Sequence, residues 1–307
     1  MKSVRNTICC LAIFLIAILG CSAAVSAAAS FVPKQTAATV SSATITWPAQ
    51  KGAVKYRVYF WEDSDESDTA ASYTFDSTTV KFTELKTNTV YRYQISALDS
   101  KGKVIGSTPN SYTAYPAPAK VKSVVVSSWG EKKGASFEVS NSSDKSFLTR
   151  MDWEIWNAAG TKRLYKGTLK TGSTFKVSGL ARTAVYQLKV RGYSGVKDAY
   201  HSGPFGGQWY SKTIVPEPLL VSAKRVSGGK AVKMKWKKVA GATKYVIYAS
   251  KKKDSGYKKV ATVGANKTTA VIRKFRKAAL SSDTTYYFCI RAYKKSVGST
   301  CSYCAEM

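Results

Sequence analysis

Apolar and polar residues alternate along most of this chain, and this alternation predicts β-strands. Successive side chains of a strand point to opposite faces of a sheet, so an alternating run indicates a strand with one buried face. No window carries a sustained apolar repeat of about 3.6 residues, the period that would indicate an amphipathic helix. We therefore predict an all-β protein. The clearest alternating runs are residues 43–47, 56–61, 90–98, 232–236, 245–248 and 286–293.

One apolar pattern occurs three times, and it predicts repeated modules. A Leu stands six residues before a Tyr that opens an alternating run, and successive copies are 95 and 100 residues apart. A repeat of this period in a chain of short strands is typical of tandem β-sandwiches. The three pairs are Leu85 and Tyr91, Leu180 and Tyr186, and Leu280 and Tyr286. The residues two, four and six positions after each Tyr should face a core: Tyr93, Ile95, Ala97; Leu188, Val190, Gly192; and Phe288, Ile290, Ala292.

Two pairs of prolines divide the chain, one at Pro116 and Pro118 and the other at Pro216 and Pro218. Proline has no N–H group and fixes φ, so such pairs end a sheet and stiffen a link. Short stiff links favour an extended arrangement of modules, and the length of 307 residues suits two or three domains. The predicted divisions are a signal peptide at 1–29, module 1 at 30–115, module 2 at 116–216 and module 3 at 217–307.

Residues 1–29 are predicted to be a signal peptide. A basic start is followed by an uncharged apolar run at 8–19 that is too short to span a bilayer. The small residues at 25–29 would suit an ordinary signal peptidase, whereas residues 18–21 resemble a bacterial lipobox in which Cys21 would become lipidated. Both alternatives predict an exported chain, secreted or at the cell surface, which meets a membrane only through a lipid anchor.

Modules 1 and 3 share a stretch that aligns without a gap. Residues 47–56 and 236–245 carry Trp, Gly, Ala, Lys and Tyr at the same offsets. Together with the repeated Leu and Tyr, this stretch resembles the fibronectin type III family, and the resemblance covers nearly all of 31–307. It implies sandwiches in which a Trp of the second strand packs near a Tyr of the third. It also implies that each repeated Leu and Tyr form a tyrosine corner at the start of the sixth strand.

Module 2 departs from this pattern. Residues 135–139 stand where the Trp would be, and Trp153 and Trp156 fall on the predicted third strand. We predict a divergent fibronectin type III-like module, with a related immunoglobulin-like sandwich as the alternative. The family implies adhesion, spacing or display and rarely catalysis, although a fold alone does not assign a function.

The sequence offers little for catalysis. His201 is the only histidine, it lies in a Ser- and Gly-rich loop, and no Gly-x-Ser-x-Gly motif accompanies it. We interpret His201 as an ordinary loop residue. One histidine also argues against a zinc enzyme, and no phosphate-binding glycine loop is present. We predict a non-enzymatic protein without a cofactor, and an enzyme with an unrecognised site is a third alternative.

The cysteines near the C-terminus predict a disulfide. Cys289 is one residue away from the inward-facing positions of its strand, and a hairpin joins that strand to the segment that follows. A cross-strand bond from Cys289 to Cys301 or to Cys304 is therefore predicted.

An acidic cluster follows the third predicted strand. Asp63, Asp65 and Asp68 alternate as the carboxylates of a calcium loop do, but the cluster lacks the glycine and the closing Glu of an EF-hand. We interpret it as a solvated loop, so no metal is assigned, and a weak calcium site is the alternative.

Positive charge increases toward the C-terminus. Basic and acidic residues number 9 and 8 in module 1, 16 and 6 in module 2, and 21 and 4 in module 3, within a total net charge of +30. The excess in module 3 exceeds the roughly 2–8 charges that suit the solubility of a small domain. The alternatives are a solvated exterior and attraction to polyanions such as teichoic acids, anionic glycans, membrane lipids or DNA. Lys outnumbers Arg, which favours diffuse attraction, and no motif indicates sequence-specific nucleic-acid recognition.

Two sets of side chains are candidates for ligand binding. Lys233, Lys235 and Lys237 alternate around Met234 and Trp236, so these lysines should project from one face of a strand. The candidate cations are Lys235, Lys237, Lys251, Lys252, Lys253, Arg273 and Lys274. The candidate aromatic platforms for stacking on sugars are Trp156, Trp209 and Tyr210.

These patterns together predict an exported bacterial protein that acts as a non-catalytic surface or extracellular binding and spacer protein. Module 3 would hold the chain to a cell-wall polyanion, and the nearly neutral module 1 would meet a partner, with a glycan or a surface protein as other binding partners. The alternative is a carbohydrate-binding accessory protein that uses exposed Trp residues.

Overall fold

The chain is built from β-strands, as the alternating pattern predicted. The computed structural model describes residues 31–65, 70–131, 133–143, 147–170, 172–301 and 305–307. Within these ranges there are 26 strands and no helix, and hence no helix that could cross a membrane. The predicted signal peptide, with Cys21, lies outside the described residues.

Module 1 contains two sheets packed face to face. Its strands are β1 (Lys34–Thr39), β2 (Ser42–Thr46), β3 (Lys55–Glu62), β4 (Ala71–Phe75), β5 (Thr79–Phe82), β6 (Tyr91–Leu98), β7 (Val104–Ser107) and β8 (Tyr112–Ala114). One sheet has the order β1–β2–β5, and the other has the order β4–β3–β6–β7 with β8 also paired to β6. All pairings are antiparallel.

Module 2 repeats this topology. Its strands are β9 (Ser123–Trp129), β10 (Lys133–Ser140), β11 (Arg150–Asn157), β12 (Arg163–Leu169), β13 (Thr174–Ala181), β14 (Tyr186–Ser194), β15 (Phe205–Gly206) and β16 (Tyr210–Ile214). The sheets have the orders β9–β10–β13 and β12–β11–β14–β15, with β16 also paired to β14. As in module 1, the fourth strand pairs with the third. In an immunoglobulin constant-type sandwich it would instead join the sheet of the first, second and fifth strands. The pairing of module 2 is therefore that of module 1 and differs from the constant-type immunoglobulin pairing.

Module 3 has the same plan and one additional hairpin. Its strands are β17 (Leu220–Val226), β18 (Ala231–Trp236), β19 (Lys244–Ser250), β20 (Lys258–Gly264), β21 (Thr269–Ile272), β22 (Lys274–Phe275), β23 (Ala278–Ala279), β24 (Tyr287–Lys294), β25 (Val297–Gly298) and β26 (Ala305–Glu306). The sheets have the orders β17–β18–β21 and β20–β19–β24–β25, with β26 paired to β24. The hairpin β22–β23 forms a separate two-stranded sheet.

Each module has its own hydrophobic core between its two sheets. The side chains predicted to follow each repeated Tyr into the core are buried there, including Ile95, Val190 and Ile290. In modules 1 and 3, the Trp of the aligned stretch packs on the Tyr nine residues later, with ring centroids 5.5 Å apart for Trp47 and Tyr56. The distance is 5.4 Å in module 3.

In module 2 a stack of three aromatic rings occupies this part of the core. Trp153 of the third strand stacks on Phe175 at 4.7 Å, and Phe175 stacks on Phe137 of the second strand at 4.8 Å. Phe137 lies within the 135–139 segment that stands where the Trp was expected. An aromatic core is thus kept in module 2, with rings from the second and third strands and a further ring from the fifth.

All three tyrosine corners are present. The hydroxyl of Tyr91 accepts a hydrogen bond from Lys86 N–H at 2.8 Å. Tyr186 accepts one from Ala181 N–H at 3.0 Å and donates to Ala181 O at 3.0 Å. Tyr286 has the longest bond, 3.4 Å from the N–H of Ser281. Each partner is the residue after the repeated Leu, which explains the fixed spacing seen in the sequence.

Modules 1 and 2 meet through the loop that contains the only histidine. His201 is 4 % exposed, and its Nδ1 lies 2.9 Å from a carboxylate oxygen of Asp198. Its Nε2 lies 2.9 Å from the carbonyl oxygen of Thr113 in module 1, and its ring contacts Tyr115. His201 lies in a loop, as the sequence predicted, but its burial against module 1 was not predicted. The loop packs against another module, which removes the histidine from solvent.

Modules 2 and 3 are joined by a parallel β-bridge between Ala184 and Ala240. Val185 N–H donates to Ala240 O at 2.8 Å, and Ala240 N–H donates to Thr183 O at 2.7 Å. The side chain of Val185 is buried in the core of module 3. The hydrophobic core of module 3 thus continues into module 2.

Candidate functional site

The outer face of one sheet in module 3 carries a row of lysines. Lys233 and Lys235 on β18 are exposed, whereas Met234 and Trp236, which alternate with them, are 0 % and 1 % exposed. Lys237, just beyond the strand, is also exposed. The alternation that the sequence predicted therefore places these lysines on the solvent side, because the intervening apolar residues are drawn into the core.

The neighbouring strand adds a fourth lysine to this face. Lys224 of β17 is directly paired with Lys233, and like charges opposite each other in a sheet are destabilising. Among the described residues, none of Lys224, Lys233 and Lys235 takes part in an ion pair. We call Lys224, Lys233, Lys235 and Lys237 the lysine face. Its positive charge is not compensated by carboxylates within the described part of the chain.

A second group of cations lines an open pocket of about 680 Å³ in module 3. The pocket lies between the loop after β19 and the hairpin β22–β23. Its lining residues are Ser250, Lys251, Lys252, Gly256, Phe275, Arg276, Lys277 and Ala278. We call it the cationic pocket. It contains two of the predicted candidates, Lys251 and Lys252.

The remaining candidate cations lie elsewhere. Lys253, Arg273 and Lys274 are exposed on the adjoining loop and strands but do not line the cationic pocket. Arg276 and Lys277, which do line it, were absent from the predicted set. In the sequence these two cations stand between two very short strands. The alternating pattern does not predict the turn that they form.

The predicted aromatic platforms of module 2 are associated with cations. The ammonium of Lys189 lies 4.7 Å from the centroid of the Trp156 ring, and Trp156 Nε1–H donates to Glu154 at 2.8 Å. The guanidinium of Arg191 lies 4.4 Å from the Trp209 ring. Each indole is half-buried and has a cation over its ring. That cation would compete with a sugar for the ring surface.

Tyr210 differs from these two indoles. It is paired with Val190 on β14, and its side chain packs against the core of module 2. Its ring is therefore used in packing. Sugar binding by Trp156, Trp209 and Tyr210 stays a prediction.

The acidic cluster of module 1 is partly engaged in other contacts. Asp63 forms an ion pair with Arg92, and Asp65 accepts a hydrogen bond from Ser64. Asp68 lies outside the described residues. No group of three potential metal ligands is found among the residues that the structure describes, and the calcium alternative stays a prediction.

The structure joins Cys289 to Cys301 in a disulfide. Cys289 is on β24 and is fully buried, although it is not part of the core between the sheets. The bond ties the segment between β25 and β26 to the outer side of the sheet. Cys304, the other predicted partner, lies outside the described residues.

Comparisons with known proteins find one family model and several solved structures that are similar to parts of this chain. Residues 32–113 match the family model of the fibronectin type III domain. The FN1–FN3 domains of chicken CNTN1 are 12 % identical, with a TM-score of 0.30, and the match covers 90 % of this chain and 96 % of that chain. A two-domain fibronectin type III segment from chicken tenascin is 15 % identical, with a TM-score of 0.34, and the match covers 60 % of this chain and 98 % of that one. No curated protein matches the sequence.

Proposed function

We propose that this chain, whose residues 32–113 match the fibronectin type III family model, is a non-catalytic extracellular binding and spacer protein held to polyanions by module 3. Fibronectin type III domains are typically extracellular binding or spacer modules. To that general role the proposal adds how the chain is attached, namely through the attraction of basic side chains of module 3 to a polyanion. A cell-wall polyanion is the partner that this chemistry favours.

The lysine face is the observation that carries the proposal. Lys224 and Lys233 are paired at the same level of the sheet, where their repulsion opposes folding. A bound polyanion would remove this repulsion and release its own counterions. A solvated surface that served only solubility would not need two lysines in register.

The joints between the modules support the spacer role. The loop around His201 packs on module 1, and Val185 of module 2 is buried in the core of module 3. Backbone hydrogen bonds cross both joints. Contacts of this kind hold neighbouring modules together, as a spacer between an attachment point and a partner requires.

The test is retention of the purified protein on isolated cell-wall material at about 0.1 M and 0.5 M salt. Exposed charge contacts are largely screened across this range, because the Debye length falls from about 10 Å to roughly 4 Å. We expect the protein to be retained at low salt and released at high salt. The triple variant K233Q/K235Q/K237Q should release at a clearly lower salt concentration.

A matched control removes three exposed lysines from module 1, in the variant K51Q/K101Q/K103Q. It changes the net charge equally but leaves the lysine face intact, so its elution should stay close to that of the unmodified protein. Equal shifts in both triple variants would reject the lysine face as the attachment surface. Retention that survives 0.5 M salt and is lost in W156A/W209A would instead support the carbohydrate-binding alternative.

A further inference from the structure

The cationic pocket of module 3 is formed by two loops that bring four positive side chains together. Lys251 and Lys252 come from the loop after β19, and Arg276 and Lys277 come from the turn between β22 and β23. No carboxylate lines the pocket. Among the described residues, none of the four forms an ion pair. Such a pocket attracts anions and repels cations.

The first loop is held in shape by the hydroxyl of Ser250. This buried hydroxyl donates to Ser255 O at 2.5 Å and accepts from Lys252 N–H at 2.9 Å. Gly256 has φ of +72°, and a Cβ there would lie 3.3 Å from Ser250 Oγ. The backbone that carries Lys251 and Lys252 is therefore fixed before any ligand arrives, which reduces the entropy lost on binding.

The second loop is a two-residue turn that places cations where turn residues are expected. Phe275 is paired with Ala278, so Arg276 and Lys277 are the central residues of the hairpin. Arg276 has φ of +56°, a conformation that Gly and Asn adopt far more readily. Non-glycine residues held in this region of φ are enriched at functional sites. Position 276 therefore carries an arginine although its backbone conformation favours Gly or Asn.

The hairpin is anchored to the core of module 3. The Phe275 ring contacts the tyrosine-corner residue Tyr286 at 5.8 Å in an edge-to-face arrangement. The Arg276 guanidinium lies 5.6 Å from the Phe275 ring. Phe275 is the one aromatic residue that lines the pocket, and its ring makes both of these contacts. The pocket therefore offers charged hydrogen-bond donors rather than an aromatic surface on which a sugar could stack.

We propose that the cationic pocket binds a chain of phosphate groups. The guanidinium of Arg276 can donate two parallel hydrogen bonds to one phosphate, and the lysines act as point charges for its neighbours. A volume of about 680 Å³ lies within the roughly 300–1,000 Å³ of small-ligand sites, which leaves room for several linked groups. The inference rests on the proposed function, because it names the ligand chemistry of module 3, but it concerns residues separate from the lysine face.

The test is calorimetric titration of the purified protein with inorganic tripolyphosphate at about 0.1 M salt. The variant K252Q/R276G removes two charges from the pocket. Glycine at 276 suits the positive φ, so the turn should form at least as well as before. We expect at least a tenfold loss of affinity in this variant. The matched control K233Q/K235Q removes two charges from the lysine face of the same module and should change affinity less than threefold.

Other outcomes separate the two proposals. Equal losses in the two double variants, or no binding of tripolyphosphate together with salt-sensitive retention on cell-wall material, would overturn the pocket and leave the proposed function standing. Absence of both binding and retention would overturn both. Tighter binding of a sulfated disaccharide than of tripolyphosphate, lost in K252Q/R276G, would overturn the assignment to phosphate.

Discussion

Gln35 of module 1 and His201 of module 2 are partners in a parallel β-bridge that crosses the joint between the two modules. Gln35 N–H donates to Tyr200 O at 2.7 Å, and Ser202 N–H donates to Gln35 O at 2.8 Å. The Gln35 side chain, fully buried, also bonds both backbone groups of Tyr115, at 2.8 Å and 2.9 Å. One residue thus connects the loop of module 2 with the last strand region of module 1.

We predict that Gln35→Ala destabilises module 1 beside this joint, because the side chain bonds only within module 1, whereas the backbone bonds of residue 35 across the joint can still form. The change leaves the N–H and C=O groups of Tyr115 without their side-chain partner in a buried site, and each such loss costs about 1–3 kcal/mol. A decrease of about 2–4 kcal/mol in the free energy of unfolding is expected in urea denaturation followed by tryptophan fluorescence. Gln50→Ala is the control, because Gln50 is half-buried and makes one side-chain bond to Pro48 O. A change below about 1 kcal/mol for Gln35→Ala would contradict the role given to it.

The carboxyl group of Asp198 determines the pH below which the same joint loses stability. Burial raises the pKa of its carboxyl group, but hydrogen bonds from Tyr200 N–H and from His201 outweigh burial, and the net pKa lies below its ordinary value. A carboxyl with a lowered folded pKa contributes stability above its unfolded pKa, about 3.9. That contribution is lost as the pH falls through the folded pKa. The joint should therefore loosen below about pH 4.

The measurement is hydrogen exchange of the peptide spanning 195–203, compared between the unmodified protein and Asp198→Asn from about pH 5 down to pH 2.5. The variant should exchange faster at pH 5, and the difference should shrink as the pH falls, because the carboxylate of the unmodified protein becomes protonated. A difference that stayed constant across this range would show that the ionised carboxylate does not stabilise the joint.

The three tyrosine corners offer a graded series. Tyr186 makes two bonds of 3.0 Å to Ala181, whereas Tyr286 makes one of 3.4 Å to Ser281. We expect Tyr186→Phe to cost about 1–3 kcal/mol and Tyr286→Phe less than about 1 kcal/mol, since buried groups left unpaired are the main cost. Exchange of peptides around each corner reports the two modules separately. Tyr59→Phe is a control with the same chemistry at a half-buried strand position. The reverse ranking of Tyr186 and Tyr286 would refute the argument from geometry.

The sequence was sufficient to predict the architecture because the signals are local and repeated. The alternation fixed which side chains of β6, β14 and β24 enter the cores, and the spacing of Leu and Tyr located each corner. Lys233, Lys235 and Lys237 of the lysine face followed from the same rule, because Met234 and Trp236 are drawn inward on both sides of Lys235, whereas Lys224 joins them through strand pairing.

The joints and the cationic pocket depend on contacts between distant segments, which no local pattern contains. The bridge from Gln35 to His201 joins two modules, so the local sequence predicts the loop that contains His201 but not the burial of that residue. Arg276 is absent from the cations that the sequence singles out, because its positive φ and its place in the same pocket as Lys252 depend on the hairpin turn and on how two loops pack.

The aligned glycines of modules 1 and 3 provide the last prediction, because the same backbone conformation lies in two different surroundings. Gly52 and Gly241 both have φ of +83°. A Cβ at Gly52 would meet only the end of the Ile105 side chain, at 3.5 Å. A Cβ at Gly241 would lie 2.7 Å from the Cβ of Ala158 and 3.3 Å from that of Val185, both in module 2. Gly241 therefore allows modules 2 and 3 to approach closely.

We expect Gly52→Ala to cost about 1 kcal/mol, the usual penalty for a side chain at positive φ. Gly241→Ala should cost about 1–3 kcal/mol more, since overpacking is added to that penalty. Urea denaturation gives both values, and hydrogen exchange at 183–185 should rise only in Gly241→Ala, because Val185 N–H is bonded across the joint to Ala240. Equal costs for the two substitutions, without faster exchange at 183–185, would mean that modules 2 and 3 separate easily and would remove one of the two supports for the spacer role.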